Sequence, residues 1–123
     1  MSYRTIVSPV EAEIEIKRSR FLARLCPAAD EAEARSVIAE ARAEHPKARH
    51  HCSAFVLDTD SRTQRFSDDG EPAGTAGAPI LDVVTGHDLT FVVAVVTRYF
   101  GGTLLGAGGL CLLYTSDAAD ERG

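Results

Sequence analysis

Leu89-Thr90-Phe91-Val92-Val93-Ala94-Val95-Val96-Thr97 is the stretch on which the rest of this chain depends. It is β-branched and nearly continuous in its apolar character, and far short of the ~18 apolar residues that a membrane helix needs. A strand of this kind is covered on both faces and belongs in the middle of a sheet. Its neighbours in sequence therefore have to supply flanking strands and helices for both sides.

Upstream, Ala78 to Thr85 predicts a short helix with Ile80, Leu81 and Val84 inward and Gly86 as its C-terminal cap. Before it, residues 68–79 form a loop rich in Gly, Pro and acid. Residues 50–58 alternate, with Cys52, Ala54 and Val56 on one side and Ser53, Phe55 and Leu57 on the other. Both sets are largely apolar, so this too predicts a strand covered twice. Asp58 to Ser61 reads as a turn, and Arg62 to Ser67 as the returning strand. Further back, Asp30 is placed to cap a helix over 31–44, whose Ala34, Val37, Ile38 and Ala41 share one face and which His45-Pro46 stops. Glu11 to Ile16 alternates charged with apolar, Lys17-Arg18-Ser19-Arg20 reads as a turn, and Phe21 to Cys26 as a second strand before Pro27. Downstream, Arg98 to Gly102 leaves the sheet, and Gly106 to Leu110 opens a last helix. The predicted order is β-β-α-β-β-α-β-α, an α+β domain with a mixed sheet and helices packed on it.

The chain has 123 residues and a net charge of −5. That size predicts one domain, and that charge argues against strong non-specific DNA binding. The charge is uneven: residues 1–66 carry 11 basic and 10 acidic side chains, whereas 67–110 carry one basic and five acidic. A local basic surface is therefore open to the first half only. Cys26, Cys52 and Cys111 are odd in number and widely spaced, which fits a reduced, cytoplasmic setting better than a disulfide framework. Met1-Ser2-Tyr3-Arg4 carries no apolar signal region behind it, and no membrane segment is predicted.

Four constellations carry chemical potential. In Ser67-Asp68-Asp69-Gly70-Glu71-Pro72-Ala73-Gly74-Thr75-Ala76-Gly77, three carboxylates within four positions repel one another. Such a loop can hold a hard cation, supply a general base, or use its carboxylates to accept backbone N–H groups around a turn. Arg98-Tyr99-Phe100-Gly101-Gly102 followed by Gly106-Ala107-Gly108-Gly109 can cradle an anion on backbone N–H groups with Arg98 as the fixed charge, or can let backbones approach closely. Tyr99 and Phe100 can stack on a base or fill a core. Arg98 can pair with Asp68, Asp69 or Glu71 and so join the two constellations. His45, His50, His51 and Cys52 place His50 and Cys52 on one face of a strand. Two ligands do not make a zinc site, so packing and hydrogen bonding are the favoured reading. Lys17, Arg18, Arg20, Arg24, Lys47 and Arg49 form either a solvated face or, if hairpin and strand entry meet, an anion-facing patch.

The run from Arg65 to Leu81 resembles the signature loop of the IMPACT/YigZ family, and the run from Val95 to Leu110 resembles its second signature. Lys17 to Phe21 and His45 to Cys52 add weaker support, and the resemblance spans about residues 5–110. It implies a fold like the second domain of the S-five ribosomal protein, usually followed in bacterial members by a ferredoxin-like domain. It also implies a role in translation, since eukaryotic relatives regulate initiation under amino-acid starvation. After Leu110 the chain departs from the family pattern. The expected organisation is a family domain over 1–110 and a non-native tail over 111–123.

The reading that follows is a cytoplasmic binding module with no cofactor and no metal, whose partner is the ribosome, RNA or a translation-associated protein. Its surface is expected at Ser67, Asp68, Asp69, Glu71, Thr75, Arg98, Tyr99, Gly101, Gly102, Gly108 and Gly109. Asp68, Asp69 and Glu71 would fix the loop and pair with Arg98, and Arg98 would meet a phosphate or a partner carboxylate. No catalytic set is assigned. The alternatives are a small-substrate hydrolase using Asp68, Asp69 and Glu71, and a protein-interaction scaffold.

Overall fold

A computed structural model describes residues 3–16, 18–58, 63–99 and 120–122. Its main sheet is built from β2 (Val10–Ile16), β3 (Ser19–Pro27), β4 (His50–Val56), β5 (Gln64–Ser67) and β6 (Val92–Tyr99), in the spatial order β2-β3-β6-β4-β5. A short β1 (Tyr3–Thr5) pairs with β7 (Asp120–Arg122) in a separate two-stranded ladder. Helix α1 (Glu31–Glu44) follows β3, and α2 (Gly77–Gly86) precedes β6.

The α+β class is as the sequence predicts, with one correction. Every neighbouring pair in the five-stranded sheet is antiparallel, not mixed. The reason is topological. β3 and β4 run the same way across the α1 crossover, but β6 inserts between them and opposes both. The most apolar strand is thereby central, and Val92 to Arg98 are all buried.

Period-two alternation divides the core in two. On one face Phe21, Ala23, Leu25, Cys52, Ala54, Val56, Val92, Ala94 and Val96 pack with Ile80 and Val84 of α2. On the other, Cys26, Phe55, Val93 and Val95 pack with Ala34 and Ala41 of α1. Each helix thus covers one side of the strand that the sequence requires to be covered twice.

Strand ends depart from expectation in three places. The β2–β3 turn is tighter than residues 17–20, because Ser19 and Arg20 already pair with Ile16 and Glu15; Arg18 at φ +70° makes that tightness possible. β6 begins at Val92 rather than Leu89, because Phe91 sits at φ +55° and breaks the extended run. β6 also continues through Arg98 and Tyr99, which pair with Phe21 and Arg20, instead of leaving the sheet there. The last helix expected from Gly106 lies outside the described residues. No helix among the described residues is long and apolar enough to cross a membrane.

Candidate functional site

The β5–α2 loop folds back over the beginning of β4, and each of its three acids has a separate task. Asp68 is the cap of α2. Its carboxylate accepts the N–H groups of Gly74 (3.0 Å), Ala76 (3.2 Å) and Gly77 (2.7 Å). The residue in the cap position, Ala76, has no side chain able to do this. These bonds, that from Gly77 foremost, lower the Asp68 pKa below the ordinary carboxylate value.

Asp69 ties the loop to two other elements. One carboxylate oxygen accepts the His51 N–H at 2.7 Å, and the other meets the Arg42 guanidinium of α1 at 2.6 Å. Its carbonyl accepts a 2.6 Å bond from His50 Nδ1. Partial burial raises its pKa, but the Arg42 and His51 bonds outweigh that and the net shift is downward. Asp69 sits at φ +46° and Gly70 at φ +86°. A Cβ on Gly70 would stand 3.3 Å from the His50 ring, so the loop lies tightly on that histidine.

Glu71 points inward. Its side chain is 2% exposed, and Oε1 lies 2.6 Å from Arg98 Nη1, itself on a side chain 10% exposed. The contact is ionic rather than a directed hydrogen bond, since no donor is aligned on Oε1. His50 Nε2 is 3.9 Å from the same oxygen. Below this pair the Cys52 thiol donates to the Asp68 carbonyl at 3.2 Å. Burial, reinforced by the charges of Glu71, Asp69 and Asp68, pushes that thiol up to about 12. Cys52 is therefore no thiolate nucleophile at neutral pH. Its place with His50 on one strand face is as expected, and both serve to hold the loop.

The expected union of the acidic loop with Arg98 exists, but through Glu71 alone; Asp68 and Asp69 have the other partners just described. Strand alternation also separates Arg98 from Tyr99. Arg98 faces the α2 side, whereas Tyr99 faces the α1 side, where its hydroxyl is hydrogen-bonded to His45 Nδ1 at 2.7 Å and Arg20 lies over its ring at 5.3 Å. Ser67 is exposed, and its Oγ accepts the Asp69 N–H at 3.2 Å. The Thr75 hydroxyl bonds to the Pro72 carbonyl and closes the loop's outer turn. Gly101, Gly102, Gly108 and Gly109 lie outside the described residues. The α2 start is pressed against β5, so that a Cβ on Gly77 would come within 2.8 Å of the Ser67 backbone.

Arg42 is the functional contributor that sequence reasoning missed. It lies 27 positions from Asp69 on a helix face with no local mark of that use. Among the described residues no group of three or more His, Cys, Asp or Glu side chains is disposed to hold a metal ion. The arrangement is a rigid loop whose charges are spent on its own architecture, at the end of the sheet where β4 begins and β6 ends.

Residues 17–121 match the family described as the Impact N-terminal domain. The IMPACT family member YvyE of Bacillus subtilis is 44% identical over 119 residues, which cover 97% of this chain and 55% of that protein. The IMPACT family member YigZ of Escherichia coli is 49% identical over 109 residues, covering 87% of this chain and 53% of that protein. The chain thus spans about half the length of the curated relatives it matches. Among solved structures, a hypothetical protein superposes with a TM-score of 0.81 at 40% identity, covering 98% of this chain and 64% of that one. The two-domain translational regulator Yih1 superposes with a TM-score of 0.54 at 25% identity, covering 94% of this chain and 45% of that one.

Proposed function

The chain belongs to the IMPACT family, and from that premise we propose that it is a regulatory binding module of the translation apparatus, docking on the ribosome, its RNA or a protein bound to it. The observation that carries this reading is the likeness to Yih1, a translational regulator, over 94% of the chain. Fold likeness alone would be weak support. Here it is joined by the character of the loop.

Each loop carboxylate is already engaged: Asp68 by three N–H groups, Asp69 by Arg42 and His51, Glu71 by Arg98. That geometry supports a fixed surface for recognition better than a hydrolase, which would need one of these groups to hold a cation or to accept a substrate proton. In this reading Ser67, Thr75 and the exposed Pro72-Ala73-Gly74 turn meet the partner, while Asp68, Asp69, Glu71 and Arg98 keep the loop in shape. Tyr99, held by His45 on the opposite side of the sheet end, is not part of that surface.

The test is co-sedimentation with ribosomes across a salt series. The chain is expected to pellet with ribosomes at low salt and to be released as salt rises. Asp69→Ala, which removes the loop's bond to Arg42 of α1 and one of its bonds to β4, is expected to weaken that association. A chain that stays in the supernatant at low salt would sink the proposal.

A further inference from the structure

Among the described residues, the basic side chains differ in how far ion pairs engage them. Arg20 is paired with Glu13, Arg24 with Glu11 and Glu44, Arg35 with Glu31, Arg42 with Asp69 and Arg98 with Glu71. Arg18, Lys47 and Arg49 are exposed, and among the described residues they make no ion pair.

The sheet register brings these three cations to one end. Arg18 is in the turn that enters β3, Arg49 immediately precedes β4, and its N–H donates to the Arg98 carbonyl at 2.8 Å. β3 and β4 flank β6, so the cations bracket the end of the central strand at Tyr99. Two strand spacings separate them, roughly 10 Å. That breadth suits more than one anionic group. The rings of Tyr99 and His45, both only partly buried, lie edge to face with centroids 5.7 Å apart on the α1 side of the same end.

Of the neighbouring acids, Glu15 at the end of β2 faces solvent beside the Arg18 turn and offsets part of this field, while the loop acids do not. Asp69 is compensated by Arg42, Glu71 by Arg98, and Asp68 by the N-terminal N–H groups of α2. The overall charge of −5 would by itself discourage a polyanion, but the acidic second half is neutralised where it faces this end.

We propose that this end of the sheet is an RNA-binding edge, on which Arg18, Lys47 and Arg49 grip successive phosphates of a single strand while Tyr99 and His45 offer ring surfaces to its bases. Rings beside a row of cations suit a nucleic acid better than an acidic peptide, which has no base to stack. This assignment rests on the translation reading above and names the ligand class within it.

The experiment uses the whole chain and a fluorescent uridine 12-mer, with binding followed by anisotropy against salt. Single-stranded nucleic acid gives a slope of about −0.7 per phosphate in log affinity against log salt. Three contacts predict a slope of about −2. The combined Arg18→Ala, Lys47→Ala and Arg49→Ala variant should keep its melting temperature, since these side chains hold nothing together. It should bind at least tenfold more weakly, with a slope near zero. The charge-keeping pair Lys47→Arg and Arg49→Lys should bind as the parent does. Arg65→Ala, on the exposed edge strand β5, should change affinity less than twofold.

Full binding by the triple variant, or an equal loss in Arg65→Ala, would overturn the assignment. So would a parent chain that ignores RNA yet pellets with ribosomes through these same three residues, which would mark the edge as a seat for an acidic protein segment. In that case the translation reading survives. A parent chain that neither binds RNA nor pellets with ribosomes overturns both.

Discussion

The two helices begin in opposite ways. α1 is capped by its own flank: Asp30 accepts the Glu33 N–H at 2.9 Å, and the Glu33 carboxylate takes the Ala29 N–H at 2.7 Å. α2 has no such residue and borrows its cap from Asp68, eight or nine positions away across a loop. The first arrangement fixes only a helix. The second fixes a helix, a loop and the end of a strand together, because the same loop is held by Asp69 and Glu71. A local cap is a detail of one element; a borrowed cap makes the loop part of the core.

If that contrast is right, damage to the loop should spread, and damage to the α1 cap should not. The largest effect is expected from Glu71→Ala, which removes the carboxylate from beside the buried Arg98 guanidinium. Breaking a buried pair in this way costs about 3–5 kcal/mol, measurable as a fall in the urea midpoint. A loss below 1 kcal/mol would mean that water reaches Arg98 and that the loop is less integral than its burial suggests.

Next is Asp68→Ala, expected to cost about 2 kcal/mol, the upper end for loss of a cap. Amide exchange should quicken both in the first turn of α2 and in β5. Exchange confined to α2 would reduce Asp68 to an ordinary cap. The pH dependence sharpens the point. The folded-state pKa of Asp68 is lowered, so its contribution is present above the unfolded value, about 3.9, and is lost as pH falls through the folded value. Asp68→Asn should therefore flatten the acid limb of the stability curve between pH 4 and the native value. An unchanged acid limb would assign that limb to other carboxylates, Asp69 first among them.

The smallest effect is expected from Asp30→Ala, about 1 kcal/mol, with fraying limited to the first turn of α1. Loosening of the β5–α2 loop in this variant would erase the distinction between the two helices.

The same contrast explains what was legible beforehand. The bounds of α1 follow from Asp30, the Ala, Glu and Arg run and Pro46, all within a few residues of one another. The β2–β3 hairpin, the doubly covered β4 and the central β6 follow from period and composition. The antiparallel insertion of β6 between β3 and β4 does not, because it depends on which strands meet across 36 to 79 positions. For the loop, the residue types showed that Asp68, Asp69 and Glu71 had work to do, and that Arg98 was a partner for one of them. They did not show how the work was divided. Asp68 reaches forward to α2, Asp69 backward to Arg42 and His51, and Glu71 to Arg98, and each choice is made by the tertiary fold. Arg98 and Tyr99, adjacent in sequence, were read as one surface; a period of two puts them on opposite ones.

The central position of β6 also bears on how the chain is made. β2 and β3 can pair as soon as they leave the ribosome, and so can β4 and β5, but neither hairpin touches the other in the finished sheet. Both must wait for Val92 to Tyr99. At a synthesis rate of about 5–20 residues per second, the interval between the end of β3 and the start of β6 is roughly 3–13 s. During it β3, and once β5 is made β4 as well, carries an inner edge with unpaired backbone groups, a template for association with other nascent chains. The apolar strand that unites the sheet is thus the last of its five to be synthesised, and the chain stays in two pieces until that strand arrives.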